Sequence, residues 1–143
     1  MAVTQAVLPQ FRQRQAGVIV NVTSSVTLTH PLLSVYTAST AAVTAFTECL
    51  ALELQQLNVR VSLAIPGRVP DTRFSENAQS RMQGGLSEAY SDFTQGVIAK
   101  MRQSTATTRP EDVAEAVWRA ATDASSPVRI AAGSDAVALA GSC

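Results

Sequence analysis

The sequence predicts an α/β fold in which helices flank a parallel sheet of about three strands. Three observations lead to this prediction: a β-branched run that follows Gly17, a long helical pattern, and an alternating apolar run that ends at Pro66-Gly67. Strand, helix and strand in this order are typical of a βαβ unit. The two strands of the unit are therefore expected to be parallel neighbours.

The first strand is predicted over Gly17–Thr23, because its run of mostly β-branched residues is short and follows a glycine. The helix is expected to begin near Ser34 or Tyr36 and to end near Asn58. Apolar residues recur along it at steps of three and four, and they are Val43, Phe46, Leu50, Leu54 and Leu57. This spacing lines one face of a helix with apolar side chains.

The second strand is predicted over Val59–Ile65, where apolar residues alternate, and the third is predicted over Val128–Ala132. A helix is expected to begin at Pro110, because proline suits the first helical position. The residues predicted to form its buried stripe are Val113, Ala116, Val117 and Ala120. Trp118 lies beside this stripe and is expected to pack rather than to bind a ligand.

Two further helices complete the prediction. Met1–Gln15 is interpreted as a helix that Pro9 kinks or ends. Ser87–Gln103 is predicted to be an amphipathic helix, and Gly84-Gly85 before it is expected to act as a hinge. The whole of residues 1–143 is expected to form one domain.

Composition excludes several classes of function. Lys plus Arg number 11 and Asp plus Glu number 11, so no basic excess indicates nucleic-acid binding. No apolar run is judged to approach the ~18 residues of a membrane span, and no signal peptide opens the chain. The cytoplasm is therefore the expected location. Cys49 is expected to be a small buried residue, and no metal site is predicted, because His30 is the only histidine and is expected in a solvated loop.

Polar residues are expected to gather at the carboxyl edge of the sheet. Ser24 and Ser25 follow the first strand, Pro66-Gly67 follows the second, and Tyr36 stands near the start of the helix between them. Ligands of an open parallel sheet bind beyond the carboxyl ends of its strands. This edge is therefore the predicted site of any chemistry.

These residues also carry a resemblance to a family. The run Asn21-Val22-Thr23-Ser24-Ser25, then Tyr36-Thr37-Ala38-Ser39-Thr40, then Pro66-Gly67, resembles the short-chain dehydrogenase/reductase superfamily. In that family the first motif holds a catalytic serine, the second is Tyr-x-x-x-Lys on a helix, and the third is a loop that touches the nicotinamide end of the cofactor. The resemblance covers essentially the whole chain, but only the second half of the family's Rossmann-like domain.

The resemblance implies candidate site residues. Tyr36 would be the catalytic tyrosine, and either Ser24 or Ser25 the catalytic serine, since aligning on the strand favours Ser24 and counting back from Tyr36 favours Ser25. The residues that would bind the cofactor, NAD or NADP, are Tyr36, Thr40, Pro66, Gly67, Val69 and Thr72. Residues 68–109 correspond to the family's variable substrate lid.

Two departures from the family bear on activity. Thr40 stands where the family has its lysine, and it can offer a hydroxyl to a ribose but no charge. Free tyrosine has a pKa near ~10, and an opposite charge within ~4–6 Å commonly shifts a pKa by ~1–3 units. The glycine-rich loop that holds the cofactor's phosphates is also absent from the sequence. Both departures predict that this chain alone is inactive.

The sequence therefore supports two functions. The first is a truncated NAD(P)-dependent oxidoreductase that acts on a small-molecule carbonyl or alcohol. The alternative is a non-catalytic remnant that serves as a dimerising or interaction module. Either way, the resemblance implies a homo-oligomer formed through helices 1–15 and 36–57. The apolar first strand, which would lack one neighbour, also predicts self-association.

Overall fold

The computed structural model describes residues 1–25, 31–74, 76–78, 88–103 and 106–140. Its helices are α1 (Ala2–Arg14), α2 (Ser34–Leu54), α3 (Ser91–Gln103), α4 (Pro110–Thr122) and α5 (Ser134–Ala140), and short 3-10 turns cover Gln55–Leu57 and Glu88–Tyr90. The strands are β1 (Gly17–Val22), β2 (Val59–Pro66) and β3 (Arg129–Ala132). The loop expected around His30, the hinge at Gly84-Gly85 and residue 87 lie outside the described residues.

The sheet has the order β1-β2-β3, and both pairings are parallel. Gly17 lies opposite Val59 and Val22 opposite Ala64, while Pro66 lies opposite Ala132. The predicted parallel sheet of three strands is confirmed. Because β2 lies between the other two strands, its carboxyl end is held on both sides.

Helices cover both faces of the sheet. One face carries a cluster of buried residues from β1, β2 and α2, which are Ile19, Leu50, Leu54, Val59 and Val61, and α1 packs against it. The other face carries a cluster from β2, β3 and α4, which are Ala64, Ala116, Ala120, Ile130 and Ala132. Neighbouring strand residues point to opposite faces, so Ile19 and Val20 contribute to different clusters.

Helix α2 buries the stripe that the sequence predicts, but the prediction for Cys49 is wrong. Thr47, Leu50 and Leu54 are buried against the sheet, whereas Cys49 is exposed. Successive residues turn by about 100° around a helix, so Cys49 projects away from the face that holds Thr47 and Leu50. By the same geometry Trp118, midway between the buried Ala116 and Ala120, is 66% exposed rather than packed.

The length of α2 also corrects the estimate of apolar runs. Ser34–Leu57 comprises 24 helical residues and contains an 18-residue window with a mean hydropathy of 1.2, which is long and apolar enough to cross a membrane by length and composition alone. The core helix of a soluble protein meets the same criterion. Here Leu50 and Leu54 pack on the sheet, and 17% of the window is buried.

Helix α1 runs through Pro9 and continues to Arg14, so the proline does not end it. Gln15 then takes the left-handed conformation with φ 49°, and Asn58 does the same before β2 with φ 54°. The side-chain amide of Asn58 donates a hydrogen bond to the Gln15 carbonyl at 3.1 Å. This bond ties together the two turns that lead into the paired strands.

Charged side chains secure both ends of α4. At its start, Asp112 accepts a hydrogen bond from the Arg109 backbone amide at 2.9 Å and contacts its guanidinium. The hydrogen bond from the Arg109 side chain is the main cause that lowers the pKa of Asp112. This contribution to stability is therefore present above the carboxyl's ordinary pKa and is lost as the pH falls below it. At the other end, the Arg60 guanidinium donates to the carbonyls of Ala120, Ala121 and Asp123 at 2.8–3.1 Å.

We expect the Thr47→Val substitution to lower the free energy of unfolding by ~1–2 kcal/mol, because it removes a hydrogen bond between β1 and α2. Thr47 is fully buried. Its hydroxyl accepts a hydrogen bond from the side-chain amide of Asn21 at 2.9 Å and donates one to the Val43 carbonyl at 2.6 Å. Urea unfolding followed by circular dichroism measures the change.

Thr122→Val is the matched control for this substitution. The Thr122 hydroxyl makes the same kind of bond within a helix, to the Trp118 carbonyl at 2.8 Å, but it is exposed and joins no second element. Its loss should change stability by less than ~0.5 kcal/mol. Equal effects of the two variants would show that the bond to Asn21 contributes nothing.

Candidate functional site

The chain leaves β1 along the carboxyl end of β2. The backbone amide of Thr23 donates to the Ala64 carbonyl at 3.0 Å, and that of Ser25 donates to the Pro66 carbonyl at 2.8 Å. Ser24, between them, is 8% exposed. The structure therefore brings the candidate serines to the Pro-Gly loop, as the sequence predicts. Which of the two corresponds to the family's serine stays open.

Tyr36 is the third residue of α2 and is half-buried. Its ring meets the ring of Phe74 edge to face, with the centroids 6.2 Å apart and the planes at 61°. Aromatic pairs favour this geometry, because the positive edge of one ring meets the negative face of the other. Phe74 follows the Pro-Gly loop and is 58% exposed, so it forms an open apolar wall beside Tyr36.

Thr40 lies one helical turn after Tyr36 and is 9% exposed. Its hydroxyl lies 3.1 Å from the Tyr36 carbonyl and 3.1 Å from the Thr37 carbonyl. A hydroxyl has one proton, so Thr40 donates it within its own helix and keeps its lone pairs as acceptors. A lysine at this position would have to hold a charge at a buried point of the helix. That Thr40 contacts a ribose remains a prediction.

Hydrogen bonds hold the backbone of the Pro-Gly loop on every side. The Pro66 carbonyl accepts from Ser25, and the Gly67 amide donates to the Ala132 carbonyl at 3.2 Å. The Arg68 amide donates to Asp135 Oδ2 at 2.7 Å, and the Arg68 carbonyl accepts from the Thr108 amide at 2.8 Å. The loop is therefore bound to the ends of β1 and β3 and to the segment before α4.

Thr108 and Asp135 fill the space that two glycines leave. A Cβ atom at Gly67 would overlap the Asp135 carboxylate, and one at Gly133 would overlap the Thr108 side chain. Gly133 also has a φ of +93°, a backbone conformation that is strained for residues other than glycine. The Thr108 hydroxyl, in a residue 1% exposed, lies 2.9 Å from the Ala132 carbonyl and 2.5 Å from Asp135 Oδ1.

The remaining candidate residues lie in the turn after the loop. The Thr72 hydroxyl donates to the Val69 carbonyl at 3.0 Å and accepts from the Phe74 amide at 3.4 Å. Thr72 is exposed and Val69 is half-buried. Thr72 thus closes a local turn that aims Phe74 towards Tyr36, and its contact with a cofactor stays a prediction.

Sequence reasoning missed Phe74, Thr108 and Asp135. Phe74 stands in the least regular part of the chain, and no periodic pattern marks it. Asp135 follows the third strand at the edge where ligands of a parallel sheet bind, and this position was an available signal. Its partner Arg68 is 67 residues earlier, so the pairing itself leaves no local pattern.

Comparison with known proteins gives consistent matches. Residues 1–83 match the family model described as short chain dehydrogenase. An uncharacterized oxidoreductase of Schizosaccharomyces pombe is 28% identical over 141 residues, which cover 93% of this chain and 56% of that protein. The NADP-dependent 3-hydroxy acid dehydrogenase YdfG of Escherichia coli is 35% identical over 116 residues, which cover 80% of this chain and 42% of that protein.

A solved short-chain dehydrogenase from Streptomyces avermitilis superposes with a TM-score of 0.74 and 28% identity. The match covers 97% of this chain and 50% of that protein. The chain thus spans about half the length of the relatives that it matches.

We expect Gly133→Ala to lower the free energy of unfolding by ~1–3 kcal/mol, because it combines a strained backbone with an overlap on Thr108. Gly96→Ala is the matched control, since a Cβ there meets open space inside α3. It should raise stability by ~0.5–1 kcal/mol, as alanine favours a helix over glycine. Thermal unfolding of both variants measures the difference, and a tolerated alanine at position 133 would contradict the close packing of Thr108.

Proposed function

Because the chain belongs to the short-chain dehydrogenase/reductase superfamily, we propose that it supplies the proton-transferring half of an NAD(P)-dependent carbonyl or alcohol oxidoreductase. The observation that supports this most directly is the hydrogen bond from Ser25 to Pro66, which joins the serine segment to the Pro-Gly loop. Tyr36 lies in the first turn of the helix that connects the two strands. This bond and the one from Gly67 to Ala132 support a site at the part of the sheet where β2 has a neighbour on both sides.

The residues have separate roles in this proposal. The Tyr36 hydroxyl gives a proton to the substrate carbonyl oxygen, or takes one from an alcohol. The hydroxyl of Ser24 or Ser25 donates a hydrogen bond that orients the same oxygen. A bound nicotinamide would supply or accept the hydride. Phe74 lies against the Tyr36 ring and would present an apolar surface to the substrate.

The fit of this chain to the whole cofactor is incomplete. Tyr36 and the Pro66-Gly67 loop suit the nicotinamide end. Phosphates in this fold are held by a glycine-rich turn after a strand, and the seven glycines of the sequence include no such run. Thr40 brings no positive charge, and its hydroxyl points at helix carbonyls. We therefore propose that residues 1–143 constitute a partial domain, truncated and inactive on its own.

Residues 68–109 are proposed to form the substrate lid. Phe74 within this stretch already contacts Tyr36. Tyr90 and Phe93, at the start of α3, are 55% and 53% exposed. These aromatic side chains would line or close the site when a substrate is present. A cytoplasmic location is proposed with this function.

The alternative proposal is a non-catalytic module that dimerises. Within the described residues, β1 pairs with β2 alone, and Val22 at its end is 53% exposed. Helix α2 also presents a stripe of exposed small residues on the face away from the sheet, which are Ala38, Ala41, Ala42 and Ala45. Close approach of a second copy would cover this stripe, and α1 is proposed to contribute to the same interface.

We expect residues 1–143 prepared alone to show no saturable binding of NADH or NADPH at micromolar concentration, because no phosphate loop is present. Fluorescence titration and calorimetry measure the binding. Thr40→Lys should not restore turnover by itself, since the added charge completes only one part of the site. Tyr36→Phe serves as the matched variant: saturable binding that this change weakens would overturn the proposed incompleteness.

The same polypeptide should self-associate at micromolar concentration, because an apolar strand edge and an exposed helix face promote contact between copies. Sedimentation velocity measures the state. Ala45→Arg, on the exposed stripe of α2, should shift a helix-mediated dimer towards monomer. Val137→Arg, at an exposed position of α5, should leave the dimer unchanged. A monomer in the unchanged chain would disprove the proposed association, and association that both variants retain would assign it to the strand edge.

A further inference from the structure

We infer that Asp135 is a positioning residue for the Pro66–Arg68 loop. Its carboxylate fixes the backbone that the proposed function, on which this inference rests, places against the nicotinamide end of a cofactor. Asp135 acts through the Arg68 amide and the Thr108 hydroxyl rather than by contact with a ligand. A residue of the last described helix, outside the family motifs, thereby determines the geometry of the site.

The two oxygens of the carboxylate are used on different partners. Oδ2 accepts the Arg68 amide at 2.7 Å, which is short for a bond between a nitrogen and an oxygen. Oδ1 accepts the Thr108 hydroxyl at 2.5 Å and the Ala136 amide at 3.0 Å. Hydrogen bonds to an ionised acceptor are shorter and stronger than neutral ones. The carboxylate thus holds three donors that belong to three separate segments of the chain.

Thr108 also holds the backbone of Arg68. Its backbone amide donates to the Arg68 carbonyl at 2.8 Å, while its hydroxyl reaches Asp135. Both backbone polar groups of Arg68 are therefore bonded to this pair. Since Gly67 also donates to Ala132, the loop cannot shift without breaking several bonds together.

The Asp135 carboxylate packs directly against the Pro-Gly loop. The space next to the Gly67 Cα is occupied by the Asp135 carboxyl group. The space next to the Gly133 Cα is occupied by Thr108. The glycine of the Pro-Gly loop is therefore required here by Asp135, within the protein itself, whether or not a cofactor approaches.

A structural role alone makes a different prediction. Asp135 lies in the first turn of α5, where a carboxylate stabilises a helix. If that were its whole contribution, its loss would weaken the fold generally or free α5. If it positions the loop, its loss should release Arg68 while the β2–β3 pairing stays protected. Hydrogen exchange at single amides separates these two cases.

The experiment compares amide hydrogen exchange in the unchanged chain, in Asp135→Ala and in Asp135→Asn, read at single residues by mass spectrometry. Ser134→Ala is the matched control, because Ser134 is the exposed neighbour and, among the residues that the structure describes, its hydroxyl reaches only the Thr107 carbonyl at 3.5 Å. We expect exchange at Arg68 to accelerate by about tenfold or more in Asp135→Ala. Asp135→Asn, which keeps a neutral acceptor, should give a smaller increase.

Leu63, whose amide bonds to the Val128 carbonyl, should keep its rate within about twofold in all variants. Gly67→Ala should accelerate Arg68 as Asp135→Ala does, because the added methyl group displaces the carboxylate. An unchanged rate at Arg68 would overturn the inference, and so would equal acceleration at Arg68 and Leu63. No cofactor is used, so failure here is separate from any result of the NADPH titration.

Discussion

The pairing of β2 with a parallel strand on each side is the constraint on which the rest of the structure depends. It places the ends of β1 and β3 beside Pro66, because parallel strands in register finish at the same edge. The Ser25 amide and the Ala132 carbonyl can then bond the loop that follows β2. Without either neighbour, the Pro-Gly loop would lose partners on one side and the site residues would lose their common support.

Buried threonines and one arginine carry this constraint into the helices. Thr47 links α2 to Asn21 of β1, and Thr108 links the segment before α4 to Asp135 and β3. Arg60 of β2 bonds the last carbonyls of α4. Buried polar groups are costly unless they are paired, so each of these side chains fixes one arrangement of its two elements. The apolar clusters alone would tolerate small shifts between helix and sheet.

The sequence was sufficient to predict the elements that repeat at a regular period. The strands near residues 17–23 and 59–65 and the helix between them follow from local patterns, and their parallel pairing follows from the helical crossover that connects them. Side-chain burial was harder, as Cys49 and Trp118 show, because a residue type indicates average rather than actual packing. The bond between Arg68 and Asp135 joins residues too distant in sequence to leave a pattern.

The support of the site and its charge are separable in this chain. The bonds that hold the Pro-Gly loop come from Ser25, Thr108, Ala132 and Asp135, and none of them involves position 40. Thr40 satisfies its hydroxyl within α2, so a threonine there leaves no buried donor unpaired. The fold can therefore keep the bonded Pro-Gly loop without a cation at position 40. For the same reason, the parallel sheet and the bonded Pro-Gly loop agree with membership of the family, whereas the proposed turnover would depend on charges and phosphate contacts that the sheet does not require.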